Sequence, residues 1–191
     1  MSKIVCIDAG HGGKDSGATF RDIREKDITL IAAKRVRDLL LVCRFIAPVM
    51  TREEDVYVSL EDRVKIANDS KADYFLSIHV NAAGKPGDTT TAAGEELWVA
   101  KGDKKSLQYG KIFIDWLDMV FEEDPHRGVK EGNLYVNKYT KMPSALIELG
   151  FINNPKSYAY FSSPYKIHTM SFCLMIGILN VIHEIYKEGR K

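Results

Sequence analysis

The chain has 191 residues, the length of one ordinary globular domain with a single core. Hydrophobic residues make up 45% and charged residues 28%, which excludes a disordered, a collagen-like or a multi-span membrane chain. Lys plus Arg number 27 and Asp plus Glu 26, a net charge of +1 that argues against bulk attraction to nucleic acid or anionic lipid. Cys6, Cys43 and Cys173 are odd in number and far apart, which fits neither a disulfide framework nor a thiolate metal site.

Residues 4–7 form an apolar, β-branched run that ends in Asp8-Ala9-Gly10-His11-Gly12-Gly13, predicting a buried strand that feeds a glycine-rich loop. Asp27 reads as the N-cap of a helix over 28–42, with Ile28, Ile31, Ala32, Leu39 and Leu40 at helical spacing. Residues 44–50 are a second strand. Ser59 caps a helix through Asn68 that sets Leu60, Val64 and Ala67 on one face. Strands are also expected over 74–79, 95–100, 134–136 and 145–149, a loop over 84–94, and a helix over 106–120. Ser163-Pro164 opens a last helix that runs to about Tyr186, with Gly189 as its stop. Its apolar stretch, 172–182, is about half the ~20 residues of a membrane span, so a core helix and no membrane insertion are expected. Alternating strands and helices predict a single α/β domain, a twisted, mostly parallel β-sheet flanked by helices on both faces. The chain passes from Met1-Ser2-Lys3 straight into the first strand, with no secretory leader pattern.

In such sheets the site lies beyond the carboxyl ends of the strands. Three strands finish in chemically capable residues: the first leads to His11, the third carries His79, and the 145–149 strand carries Glu148 between apolar neighbours. A carboxylate there is costly to bury without a metal, a partner charge or a proton. Glu25 stands in the polar segment before the first helix. Two histidines, one carboxylate and an open fourth position make the donor set of a catalytic zinc, and a further carboxylate can serve as its proton carrier. By residue type alone the alternatives stay open: His11 as a turn residue, His79 as a strand-end histidine, Glu148 paired with a buried arginine. Asp8 is a candidate partner for the second ring nitrogen of His11, or a turn cap. Asn81 is a candidate substrate contact or a turn residue. Cys6 reads as core, His126 as a loop residue, His168 and His183 as helix residues, and Trp98 and Trp116 as packing rather than sugar platforms. The loop Gly10-His11-Gly12-Gly13-Lys14 is no Walker loop, because Asp15 stands where Ser or Thr is needed.

These residues occur in a characteristic wording: Ile7-Asp8-Ala9-Gly10-His11-Gly12-Gly13-Lys14-Asp15, Arg24-Glu25-Lys26-Asp27, Thr51-Arg52, Leu60-Glu61-Asp62-Arg63 with Ala67-Asn68, Ser77-Ile78-His79-Val80-Asn81-Ala82, Arg127-Gly128-Val129-Lys130, and Met142-Pro143-Ser144-Ala145-Leu146-Ile147-Glu148-Leu149-Gly150-Phe151. In that order they resemble the zinc-dependent N-acetylmuramoyl-L-alanine amidases, bacterial cell-wall hydrolases that include autolysins and phage endolysins. The resemblance implies that His11, Glu25 and His79 bind Zn2+ and that Glu148 is the catalytic carboxylate. It implies a catalytic domain over 1–188 with 189–191 as a tail. Peptidoglycan is the implied partner, cleaved at the amide between N-acetylmuramic acid and L-alanine, with no nucleic acid involved. Action at the cell wall without a leader implies either pore-dependent release, as for an endolysin, or a secreted enzyme trimmed of its leader. The stretch between His79 and Glu148 leaves no room for the long inhibitory helix of some periplasmic relatives. A metallohydrolase acting on another amide and a catalytically inactive wall-binding relative are the competing readings.

Overall fold

Side chains alternate between the two faces of a strand, and in this chain that alternation sorts apolar from polar residues. The computed structural model describes residues 2–115 and 127–189. A six-stranded sheet is built from β1 (Lys3–Ala9), β4 (Ile46–Met50), β5 (Tyr74–Asn81), β6 (Glu96–Ala100), β7 (Val129–Gly132) and β8 (Ser144–Phe151), in the order β4-β1-β5-β8-β6-β7. All neighbours run parallel except β6 against β8. A two-stranded hairpin, β2 (Thr19–Phe20) and β3 (Ile23–Arg24), precedes the first helix. The helices are α1 (Glu25–Leu41), α2 (Leu60–Asp69), α3 (Lys104–Ile114), α4 (Tyr135–Tyr139), α5 (Pro155–Phe161) and α6 (Pro164–Glu188). The expected α/β architecture is the one observed.

One face of the sheet presents Val5, Ile7, Ala9, Leu76, Ile78, Val80, Leu97, Val99, Ile147 and Leu149, all buried in the main core with the inner faces of α1, α3 and α6. Fully burying such a side chain is worth about 1.5–3 kcal/mol, so this layer dominates the stability. The opposite face starts apolar: Cys6, Phe75 and Leu146 pack with Val64, Ala67 and Val136 under α2 and α4. Two residues further along each strand it turns polar, with Asp8 on β1, Ser77 and His79 on β5, and Glu148 on β8. The sheet register sets Asp8 beside Ser77 and His79 beside Glu148. The polar end of this face is where the candidate site lies.

Several boundaries differ from expectation for identifiable reasons. Helix α1 begins at Glu25, and its cap position is Arg24 with no side-chain cap. The carbonyls of Ala18 and Ser16 accept the N–H groups of Glu25 and Lys26 instead, and Asp27 pairs with Arg24 at 2.6 Å. Residues 134–136, expected as a strand, lead into α4. The Tyr135 and Tyr139 rings meet one turn apart at 4.5 Å, and Asn137 donates to the Trp98 carbonyl, so Tyr135 and Val136, which suit either state, are helical behind an extended Leu134 at the cap. The hairpin escapes sequence reading because its turn, Arg21-Asp22, puts a non-glycine residue at φ 51 and lacks the usual Asn-Gly signature. Strand β7 and helix α5 were also not anticipated. Ser59 does cap α2, accepting from the Asp62 N–H. Leu60, however, is exposed rather than packed with Val64 and Ala67. Cys6 is core, and His168 and His183 are helix residues on α6, as expected; both histidines are exposed. The expected continuation of α3 to residue 120, Trp116, His126 and the last two residues of the tail lie outside the described residues.

Helix α6 crosses α3 where Gly177 meets Phe113. A Cβ on Gly177 would lie 2.7 Å from the buried Phe113 ring and 3.1 Å from its carbonyl oxygen. Ala normally stabilises a helix interior by about 1 kcal/mol over Gly, but overpacking costs about 1–3 kcal/mol. Gly177→Ala is therefore expected to lower the melting temperature by a few degrees, measured by calorimetry; a rise would show that the two helices can part without cost.

Candidate metal centre

Three segments meet at the carboxyl ends of β1 and β5. His11 follows β1 in the glycine loop, Glu25 is the first residue of α1, and His79 lies near the end of β5. The His11 Nε2 and His79 Nδ1 atoms both face Glu25 Oε1, at 3.1 and 3.0 Å. One ligand atom from each residue lies within 4.8 Å of the other two, so the three form a group able to hold a metal ion. The same oxygen accepts from the Val80 N–H at 2.9 Å, and Oε2 accepts from the Ala18 N–H at 2.8 Å, so backbone fixes the carboxylate's orientation. The imidazole planes are nearly perpendicular, at 78°.

Glycines beside the trio leave space for its side chains. A Cβ on Gly10 would lie 2.5 Å from the His79 ring, and one on Gly17 would lie 2.6 Å from both Glu25 Oε2 and the His11 ring. Gly17 also has φ +62, where a side chain is strained in any case. Donor types, convergence and this clearance all suit a zinc-type ion. Burial opposes charge on Glu25, but hydrogen bonds from His11 and His79 outweigh it and hold its carboxyl well below the usual range. Burial likewise disfavours a charged His11, yet the Glu25 and Asp15 carboxylates push its imidazole up to about 9.

His11 itself has φ 61, a left-handed conformation uncommon outside glycine. Two buried arginines hold the loop in that shape. Arg63 donates to the Ala9 and His11 carbonyls, both at 2.6 Å. Arg52 donates to the Ala9, Gly10 and Lys26 carbonyls, each at 2.9 Å. Their charge is balanced from below by Asp8, fully buried, which accepts from Arg63, Thr51 and Ser77, each at 2.6 Å. Burial alone would raise the Asp8 carboxyl, but the Arg63 charge and the two hydroxyls hold it below the usual carboxylate range. Asp8 therefore does not serve His11. That place belongs to Asp15, whose Oδ2 lies 2.9 Å from His11 Nδ1.

Glu148 is next to His79 in the sheet. Its Oε2 is buried with no hydrogen-bond partner. Burial pushes its carboxyl up to about 7, against the pull of His79. No arginine pairs with it among the described contacts. Asn81 donates to Glu96 Oε1 at 3.1 Å and accepts from the Ala82 N–H, so it is engaged within the protein. A cavity of about 210 Å³ opens beside the two histidines, walled by Arg63, Tyr57, Leu60, Tyr135 and Leu146.

The family profile described as N-acetylmuramoyl-L-alanine amidase matches residues 5–180. The chain is 34% identical over 191 residues to an endolysin of Bacillus phage SPP1, covering 99% of this chain and 69% of that one. It is 37% identical over 162 residues to the amidase LytC of Bacillus subtilis, covering 81% of this chain and 30% of that one. Among solved structures it resembles an N-acetylmuramoyl-L-alanine amidase from Clostridium difficile 630, with a TM-score of 0.88 and 31% identity over 95% of this chain and 97% of that one.

Removing the Asp8 charge leaves Arg63 buried and unpaired, a change that typically costs about 3–5 kcal/mol. Asp8→Asn is expected to lose stability of that order at pH 7 in urea unfolding. Because folding lowers the Asp8 pKa, its contribution is full above the unfolded value of about 3.9 and declines as pH falls through the folded one. The gap between wild type and variant should thus begin to narrow below about pH 4 and go on narrowing as pH falls toward the folded pKa; equal stability at pH 7 would show that the pair contributes nothing.

Proposed function

Since the chain belongs to the N-acetylmuramoyl-L-alanine amidase family, we propose that His11, Glu25 and His79 hold a zinc ion and that Glu148 carries the protons of hydrolysis. The reaction of this family is cleavage of the amide between N-acetylmuramic acid and the L-alanine of the peptidoglycan stem, at the bacterial cell wall. The convergence of two imidazoles on one backbone-fixed carboxylate is the observation that carries the reading. These three residues would hold a zinc ion, which when bound would supply a Lewis acid for the amide carbonyl and water that ionises near neutral pH.

The chain's own groups do the rest. Asp15 fixes the His11 ring through Nδ1 and leaves Nε2 facing the centre. Glu148 has a free, buried oxygen and a carboxyl near 7, which suits a group that must accept a proton from attacking water and return it to the leaving alanine nitrogen. His79 stands between the two functions, as a ligand and as the sheet neighbour of Glu148. The catalytic domain is assigned to residues 1–188, supported by the family match over 5–180 and by α6 ending at Glu188. The presence of all four side chains argues against an inactive wall-binding relative.

Glu148→Gln is expected to keep one zinc per chain while amide hydrolysis falls by about 10²–10⁴-fold, the usual worth of a positioned acid–base group. His79→Ala is expected to lose both. Metal analysis and release of new alanine amino groups from cell walls check these outcomes, and full hydrolysis by Glu148→Gln would overturn the role given to that residue. Products cut inside the stem peptide would favour a hydrolase of other amides.

A further inference from the structure

We propose that Arg127 and Lys130, gathered by the buried carboxylate of Glu96, form a receptor for a carboxylate of the stem peptide, on the leaving-group side of Glu148. Glu96 is buried on β6 and lies opposite Glu148 in the antiparallel pairing. Its Oε2 accepts from Arg127 Nε at 2.7 Å and from the Lys130 ammonium. Its Oε1 accepts from Asn81 Nδ2 and Trp98 Nε1, both at 3.1 Å. Four donors thus hold one carboxylate, and among the described residues two cations pair with this one carboxylate, one positive charge more than Glu96 balances.

Both cations are held in place and still accessible. The Arg127 guanidinium sits 5.1 Å from the Phe151 ring centroid, and the Lys130 ammonium 5.3 Å from that of Trp98. Their side chains keep 36% and 32% exposure, enough to meet a second anion. Direction follows from the sheet order. The metal trio lies toward β1 and β5, Glu148 is on β8, and Glu96 and Lys130 are one and two strands beyond it, on β6 and β7. A group that hands a proton to the departing nitrogen must lie beside it, so the peptide leaves the centre across β8 toward β6 and β7. Strands are about 4.8 Å apart and an extended chain advances about 3.3–3.6 Å per residue, so the second or third stem residue reaches the two cations. Charge-assisted hydrogen bonds to a carboxylate fit that spacing.

The inference rests on the amidase reading, and the test separates the two. Zinc-loaded wild type and an Arg127→Gln/Lys130→Gln variant are assayed on glycan strands whose stem carboxylates are either free or converted to carboxamides. With wild type, amidation should raise KM about 10-fold with little change in kcat, the usual worth of a charge-assisted bond. The double variant should show the higher KM on both substrates, losing the preference. An Arg127→Lys/Lys130→Arg variant, which keeps both charges, should restore it, and this guards against loss by misfolding. The same preference in wild type and the double variant, or none in wild type, overturns the carboxylate receptor alone. Failure of wild type to free alanine amino groups from either substrate overturns the amidase reading itself.

Discussion

The period of two along each strand is the constraint from which the site follows. It commits one face of the sheet to an uninterrupted apolar layer, and it lets the other change character midway along β1, β5 and β8 without disturbing the first. The helices α2 and α4 cover only the apolar half of that second face. Where they stop, the register lines up His79, Glu148 and Glu96 across three neighbouring strands. A slip of one residue in any of the three would send these side chains into the main core. These three side chains are therefore held by the same pairing that holds the fold.

The loop after β1 needs a different kind of support, because His11 has a backbone conformation that ordinary residues avoid. The carbonyls of Ala9, Gly10 and His11 are collected by Arg52 and Arg63, and Asp8 balances the charge. Burying charge in this way adds little net stability when measured against an apolar replacement, but it is very costly to break. Its worth lies in geometry, since it fixes where the His11 ring can point.

The strand-end residues His11, His79 and Glu148 were legible because each interrupts or follows an apolar run, where a polar side chain needs a reason. Glu25 was recognised through the family wording, since neither spacing nor pattern links it to His11. The partners of these residues were less legible. Asp8 lies within β1, three residues before His11, but it is taken up by Arg63, Thr51 and Ser77, while Asp15, four residues after His11 in a loop with a left-handed backbone angle, meets the ring. Glu96 lies in the expected 95–100 strand, but nothing near it in the chain announces its partners Arg127 and Lys130, 31 and 34 residues later. The helical state of residues 135–139 depends on Trp98, to whose carbonyl Asn137 donates, a tertiary contact that a three-residue apolar run does not announce.

The central claim is that two imidazoles and one carboxylate from three distant segments share a single zinc ion. X-ray absorption of the protein loaded with zinc tests it most directly. One ion per chain, with two imidazole nitrogens at about 2.0–2.1 Å and a carboxylate oxygen within about 2.2 Å, is the expected result. A shell containing sulfur, a shell of oxygen alone, or binding well below one ion per chain would contradict the account.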